Sequence, residues 1–303
     1  MSGAKRIRES NASGVGNAHA GIAAPIALAT VVSLSLGGLA FGKDDDDSGQ
    51  PAGPVAYLDI RSSYTRLPAG VLGIGFSNPS AVVLPTSLSL SLPASQGLGL
   101  DLPLTIDLND RVTVYGGVTA STTKTGDLDW SSPSIASWNI GFQADVWQQN
   151  GGAFPTVTVQ STLTRSATDS PFATTTLNSV VEAGYALDTD ETRGLLAGVQ
   201  LTNVSVDSDL AAVRPNLVGY LGGYYQWDNN WKLSGRAGVQ SFGGAQLLSL
   251  PIAASFTQPI LRIDLDRMDD HDNRLFGITT QIAWTPKPTY QLIVRTPLYM
   301  TAK

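Results

Sequence analysis

The sequence predicts an all-β fold, a transmembrane antiparallel up-and-down β-barrel of about twelve strands preceded by a cleavable signal peptide. Three observations predict it: recurrent strict alternation of apolar and polar residues, alternation of short and long connections, and aromatic residues grouped beside the short connections. A strand places successive side chains on opposite faces, so a period of two sorts an apolar face from a polar one. From Ser137 the run SWNIGFQADVW sets Trp138, Ile140, Phe142, Ala144 and Val146 against Asn139, Gly141, Gln143, Asp145 and Trp147. Almost no amphipathic helix is present to cover such faces, which leaves lipid as the covering phase. Stretches of about ten residues with this dyad, separated by turn residues, are what a membrane-spanning barrel requires.

In chain order, residues 1–42 read as a signal peptide. Lys5, Arg6 and Arg8 precede a small-residue and apolar stretch from Gly21 to Gly42, and Ala40 and Gly42 flank Phe41 at the cleavage point. Residues 43–56 follow as an acidic, disordered tether containing Asp44, Asp45, Asp46 and Asp47. Residues 57–99 form a lead-in whose role the residues leave open between a plug and extra strands. AYLDIRSSYT and LPTSLSLSLP alternate there, but the glycine-rich segment between them has no clear period.

The barrel is expected over 100–303, with strands near 100–109, 111–122, 137–148, 154–165, 179–188, 193–206, 216–227, 231–242, 247–256, 259–268, 275–285 and 289–300. The ninth and tenth carry the weakest pattern, because Pro251 and Pro259 cannot donate to a ladder. Short connections are expected at Asn109–Arg111, Gln149–Ala153, Thr189–Thr192, Asp228–Asn230, Thr257–Gln258 and Pro286–Pro288. Tight periplasmic turns and longer outer loops place both termini on the periplasmic side. An aromatic girdle of Trp147, Phe154, Trp227, Trp231, Trp284 and Tyr290 flanks the short connections at one rim.

Composition narrows the function classes. Cys is absent, which removes disulfides, thiolate nucleophiles and a lipid-modified N-terminal Cys. Removing residues 1–42 takes away three basic residues and one acid, so net charge moves from −6 to −8 and nucleic acid is not an expected partner. No Walker-type loop is present. The mature chain has a single histidine, His271 in MDDHDN, placed in an outer loop and read as solvated rather than as a metal ligand. No catalytic residue, metal or cofactor is expected. The chemistry lies in Asp107, Asp145, Glu182, Lys232, Arg236, Arg262, Asp264, Asp266 and Arg295, which fall on the polar phase of their strands and face the lumen. Two roles are open for them: a selectivity lining, or paired charges that hold the wall together.

The hairpin LDLPLTIDLNDRVTVYGGV (Leu100–Val118) and the terminal strand YQLIVRTPLYM (Tyr290–Met300) resemble the outer-membrane transporter family named for the MetA pathway of phenol degradation. The resemblance covers about residues 84–303 in layout, through short motifs. It implies a gated or narrow barrel for small, often apolar or aromatic, compounds, without a catalytic site. The chain departs from the usual terminal aromatic, since Thr301, Ala302 and Lys303 follow Met300, and Tyr299 or an internal strand would then carry the assembly signal. The leading expectation is a porin-like passive channel in the outer membrane of a Gram-negative bacterium. Its partners would be outer-membrane lipid, a small-molecule permeant and the barrel-assembly machinery. A structural or adhesive barrel is the alternative, and an outer-membrane hydrolase a third.

Overall fold

A computed structural model describes residues 55–68, 71–73, 89–91, 94–167, 173–253, 255–269, 274–284 and 288–300. Twelve antiparallel strands close into one barrel. They are β1 (Val55–Leu67), β2 (Ser95–Asn109), β3 (Val112–Thr125), β4 (Ser134–Trp147), β5 (Thr156–Ser166) and β6 (Thr174–Ala186), then β7 (Arg193–Val206), β8 (Asn216–Gln226), β9 (Trp231–Phe242), β10 (Phe256–Met268), β11 (Arg274–Ala283) and β12 (Thr289–Met300). Each strand pairs with its sequence neighbours, and β1 closes the ring by pairing with β12 as well as β2, so Ser63 lies opposite both Ile293 and Gly99. No barrel strand has an open edge, which removes the template for pairing with another chain.

The strand count agrees with the sequence reading, but two strands are exchanged. The barrel starts at Val55, so it does not begin at residue 100, and Val55 and Ala56 belong to β1 instead of the tether. Signal residues 1–42 and tether residues 43–54 lie outside the described residues, as does most of the stretch between β1 and β2. Conversely, 247–256 is not a barrel strand. Ala245–Leu247 and Leu250–Ala253 instead form a small sheet with Ala211–Val213 beyond the end of the wall. The physical cause is local: Leu248 and Ser249 both take positive φ (51° and 67°), the two-residue hairpin geometry, and so reverse the chain where a continuous strand was expected. The connection expected at Thr257–Gln258 is accordingly part of β10.

This exchange changes which end each connection occupies. A first strand at residue 100 would put the short connections opposite the termini; starting at Val55 puts the turns after Asn109, Trp147, Ala186 and Gln226 at the termini-bearing end. Met268 opposes Arg274 at that end too, whereas the sequence reading set MDDHDN at the end away from the termini; His271 itself lies outside the described residues. Each tight turn has a local cause. Asn230 takes φ 63° and donates its N–H to the Trp227 carbonyl at 2.8 Å. Asp188 ties the next strand to its own turn by accepting from the Thr192 hydroxyl and from the N–H groups of Thr192 (2.9 Å) and Arg193 (3.3 Å). The Thr192 hydroxyl is the main reason that its carboxyl is held below the ordinary carboxylate range.

Large apolar side chains stand outward: Leu221 is 71% exposed, Ile140 57% and Val199 51%. Polar residues dominate the buried set, among them Gln160, Gln200, Gln240, Asn178 and Arg236. This is the reverse of a water-soluble globule, in which buried polar groups are the exception. Exposed aromatics collect at both ends of this apolar band. Trp147, Phe154, Tyr225 and Trp227 lie at the termini-bearing end, and Trp130, Trp138, Trp284 and Tyr290 at the other.

Candidate functional site: a charged layer across the lumen

The inward face is built in rows, because residues opposed in the ladder share a level. Along the β9/β10 seam, going away from the termini, the inward pairs are Lys232 with Asp266, Ser234 with Asp264, Arg236 with Arg262, Gly238 with Ile260, Gln240 with Gln258, and Phe242 with Phe256. At a rise of about 3.4 Å per residue this sequence spans roughly 34 Å. Along this seam charge therefore occupies the half near the termini, neutral amides lie above it, and two aromatic rings stand at the far end.

Asp264, 1% exposed, is the hub of the charged layer. It accepts from Arg262 Nε and Nη2 (both 2.9 Å), from Arg295 Nη2 (3.2 Å) and from the Thr279 hydroxyl, and Arg236 Nη1 stands 3.6 Å from it. Asp266 takes Arg295 Nη2 at 3.1 Å and Arg274 Nε at 2.9 Å. Gly277, between Asp266 and Arg295 in the ladder, leaves the space in which these two meet. Glu182 accepts from Arg236 Nε (2.9 Å), Arg236 Nη2 (3.2 Å) and the Tyr220 hydroxyl (2.8 Å). Since β6 and β9 are separated by β7 and β8, the Glu182–Arg236 pair bridges two intervening strands on the inward side instead of running along one seam.

Six of the nine expected lumen residues thus form one network: Glu182, Arg236, Arg262, Asp264, Asp266 and Arg295. The other three also face inward. Asp107 accepts from Thr113 and Asp145 from Thr158, each at 2.7 Å, while Lys232 lies 4.8 Å from the Tyr224 ring centroid. Sequence reasoning missed Arg61, 1% exposed, which pairs with Asp59 at 3.3 Å and is flanked in the ladder by Asp101 and Arg295. It also missed Arg274 and the inward tyrosines. Of the girdle residues, Trp147, Phe154, Trp227 and Trp231 share the termini-bearing rim, whereas Trp284 and Tyr290 flank a connection at the opposite rim. The expected single rim is therefore corrected to two. Trp147 and Phe154 meet edge to face at 6.3 Å.

The tyrosines explain several strand glycines. Tyr115 opposes Gly141, Tyr220 opposes Gly198 and Tyr224 opposes Gly194. A Cβ at Gly198 would lie 2.4 Å from the Tyr220 ring, so the ring occupies the place of a side chain and its hydroxyl reaches Glu182 beyond. Gly198→Val is expected to lower stability by about 1–3 kcal/mol through overpacking. Gly219→Val, on the outward face with nothing within 4 Å, should leave the unfolding midpoint unchanged. Equal midpoints for the two variants would mean that Tyr220 does not rest on Gly198.

Above the charge the amides bond to one another. Gln258 donates to Gln240 at 2.8 Å, Gln240 to Asn216 at 2.9 Å, and Thr202 to Asn178 at 2.9 Å. At the far mouth Phe242 and Phe256 lie 5.3 Å apart, with Val213 and Ala245 packed on them. Among the described residues there is no group of three His, Asp or Glu suited to a metal ion. The arrangement sets charged, amide and aromatic levels one above another along the β9/β10 seam.

No family model matches the sequence, and no curated protein matches it. The structure is similar to an outer membrane channel from Pseudomonas putida F1, with a TM-score of 0.53 and 12% identity over 84% of this chain and 99% of that one. The fold is that of an outer-membrane β-barrel. Looser likenesses are to the translocator domain of the autotransporter NalP from Neisseria meningitidis (TM-score 0.44, 11% identity, 90% and 96% covered) and to the CymD monoaromatic hydrocarbon channel (0.39, 11%, 84% and 89%). At these identities the likeness is one of fold.

Proposed function

We propose that this protein is a passive outer-membrane channel for small molecules with an apolar or aromatic part, not an enzyme. The observation that carries the reading is the inverted wall: apolar side chains outward, and inward a graded path from Phe242 and Phe256, through amides, to one charged layer. The barrel's likeness to the P. putida outer membrane channel supports it. A solute would shed water at the aromatic mouth and meet the charged layer as its barrier, driven by its own gradient. Both termini would then face the periplasm, the tight turns with them. Lipid would cover the outer wall, and the assembly machinery would insert it.

The close pairing of the buried charges favours a second reading, a sealed structural barrel. Two measurements decide between them. The protein should fractionate with the outer membrane and migrate on gels in a heat-modifiable way, since a closed barrel survives mild detergent; recovery as a soluble monomer would sink the membrane reading. In planar bilayers it should conduct, with small unitary steps and brief openings. Folded, inserted protein that never conducts and releases no entrapped aromatic solute from vesicles would establish the structural barrel instead.

A further inference from the structure

At the termini-bearing rim the outer wall carries a groove of about 270 Å³ lined by Trp227, Asn229, Trp231 and Leu265. Beside it stands Arg267, in the outward phase of β10 and opposed in the ladder by Trp231 on one side and Phe276 on the other. Its guanidinium carbon lies 6.0 Å from the Trp231 ring centroid. The inward arginines of the charged layer meet carboxylates; Arg267 does not, and among the described residues no ion pair forms with it. Its Nη1 is buried without a hydrogen-bond partner. An outward cation in an aromatic setting at a barrel rim is in reach of headgroups, where a phosphate can accept from the guanidinium nitrogens other than the enclosed Nη1.

We propose that this groove binds one anionic phospholipid. The phosphate accepts from Arg267, the Asn229 amide supplies a further donor to the headgroup, and the glycerol and first acyl carbons lie along Trp227, Trp231 and Leu265. The negative net headgroup is argued from charge complementarity: a zwitterionic lipid brings its own ammonium toward Arg267, whereas a phosphatidylglycerol brings hydroxyls. The proposal rests on the barrel being membrane-embedded.

Native mass spectrometry of the refolded full chain, offered equal amounts of phosphatidylglycerol and phosphatidylcholine, tests it. One basic side chain at a headgroup corresponds to about a fivefold preference for the anionic lipid. That preference should fall to near parity in Arg267→Gln and persist in Arg267→Lys, with heat-modifiable migration showing that each variant is folded. Parity in the parent, or a preference that survives Arg267→Gln, overturns the site. A folded chain that enters vesicles yet shows parity sinks the site alone; a chain that never enters vesicles sinks the membrane reading and the site together.

Discussion

Asp264→Ala is expected to destabilise the folded barrel by about 3–5 kcal/mol and to raise its conductance. The magnitude follows from what is left behind, because breaking a buried ion network strands its charged partners without compensation. Arg236, Arg262 and Arg295 all converge on Asp264, and each is under 5% exposed. With the carboxylate gone, Arg262 loses both of its hydrogen bonds to Asp264, while Arg295 retains Asp266 and Arg236 retains Glu182. Three like charges must then separate or draw in water and anions, either of which opens the layer. Urea unfolding in vesicles gives the stability change, and single-channel recording gives the conductance. A loss below about 1 kcal/mol with unaltered conductance would show that Asp264 is neither hub nor barrier.

Leu221→Arg should cost about 2–4 kcal/mol of folding free energy, whereas Tyr225→Arg on the same strand and face should cost about 0–1. Leu221 sits midway along β8 and is 71% exposed; Tyr225 lies one residue from the end of β8, edge to face with Trp227 at 5.3 Å. In hydrocarbon the first substitution places a cation at the deepest point, and the second lets it reach the headgroups. Folded fraction against urea in phosphatidylcholine vesicles reads both. Equal costs at the two positions would mean that depth along β8 does not set the penalty, and so that lipid does not cover this wall.

Much of this was legible in the sequence. Strands 193–206, 231–242 and 289–300 coincide with their expected bounds, and 216–227 agrees to within a residue, because apolar residues such as Leu195, Val199, Leu221, Leu233, Val239 and Leu292 recur on their outward phase. The polar phase also set all nine of its named charges on the inward face, though it left out Arg61 and Asp101. The sequence left β1 open between a plug and an extra strand, because its outward face mixes Leu58 and Ile60 with Ser62, Tyr64 and Arg66. An outward row of that kind gives a weak apolar stripe, although the strand is held by ladders on both sides. The false strand at 247–256 failed the other way: its alternation is real, but two residues with positive φ fold it back on itself. Pairwise contacts such as Glu182 with Arg236 were out of reach, since they depend on how far a chord of the ring must stretch.

The ring is closed by the first and last strands, which lie nearly the whole chain apart in sequence yet share an unbroken ladder from Asp59–Pro297 to Arg66–Tyr290. Until the last strand arrives, β1 offers an unsatisfied edge, and its loop-closure entropy is the largest in the fold. The consequence is kinetic: this long-range closure is expected to be a slow step of folding, and deleting either β1 or β12 should leave a sheet that aggregates where a shorter repeat protein would merely lose a unit.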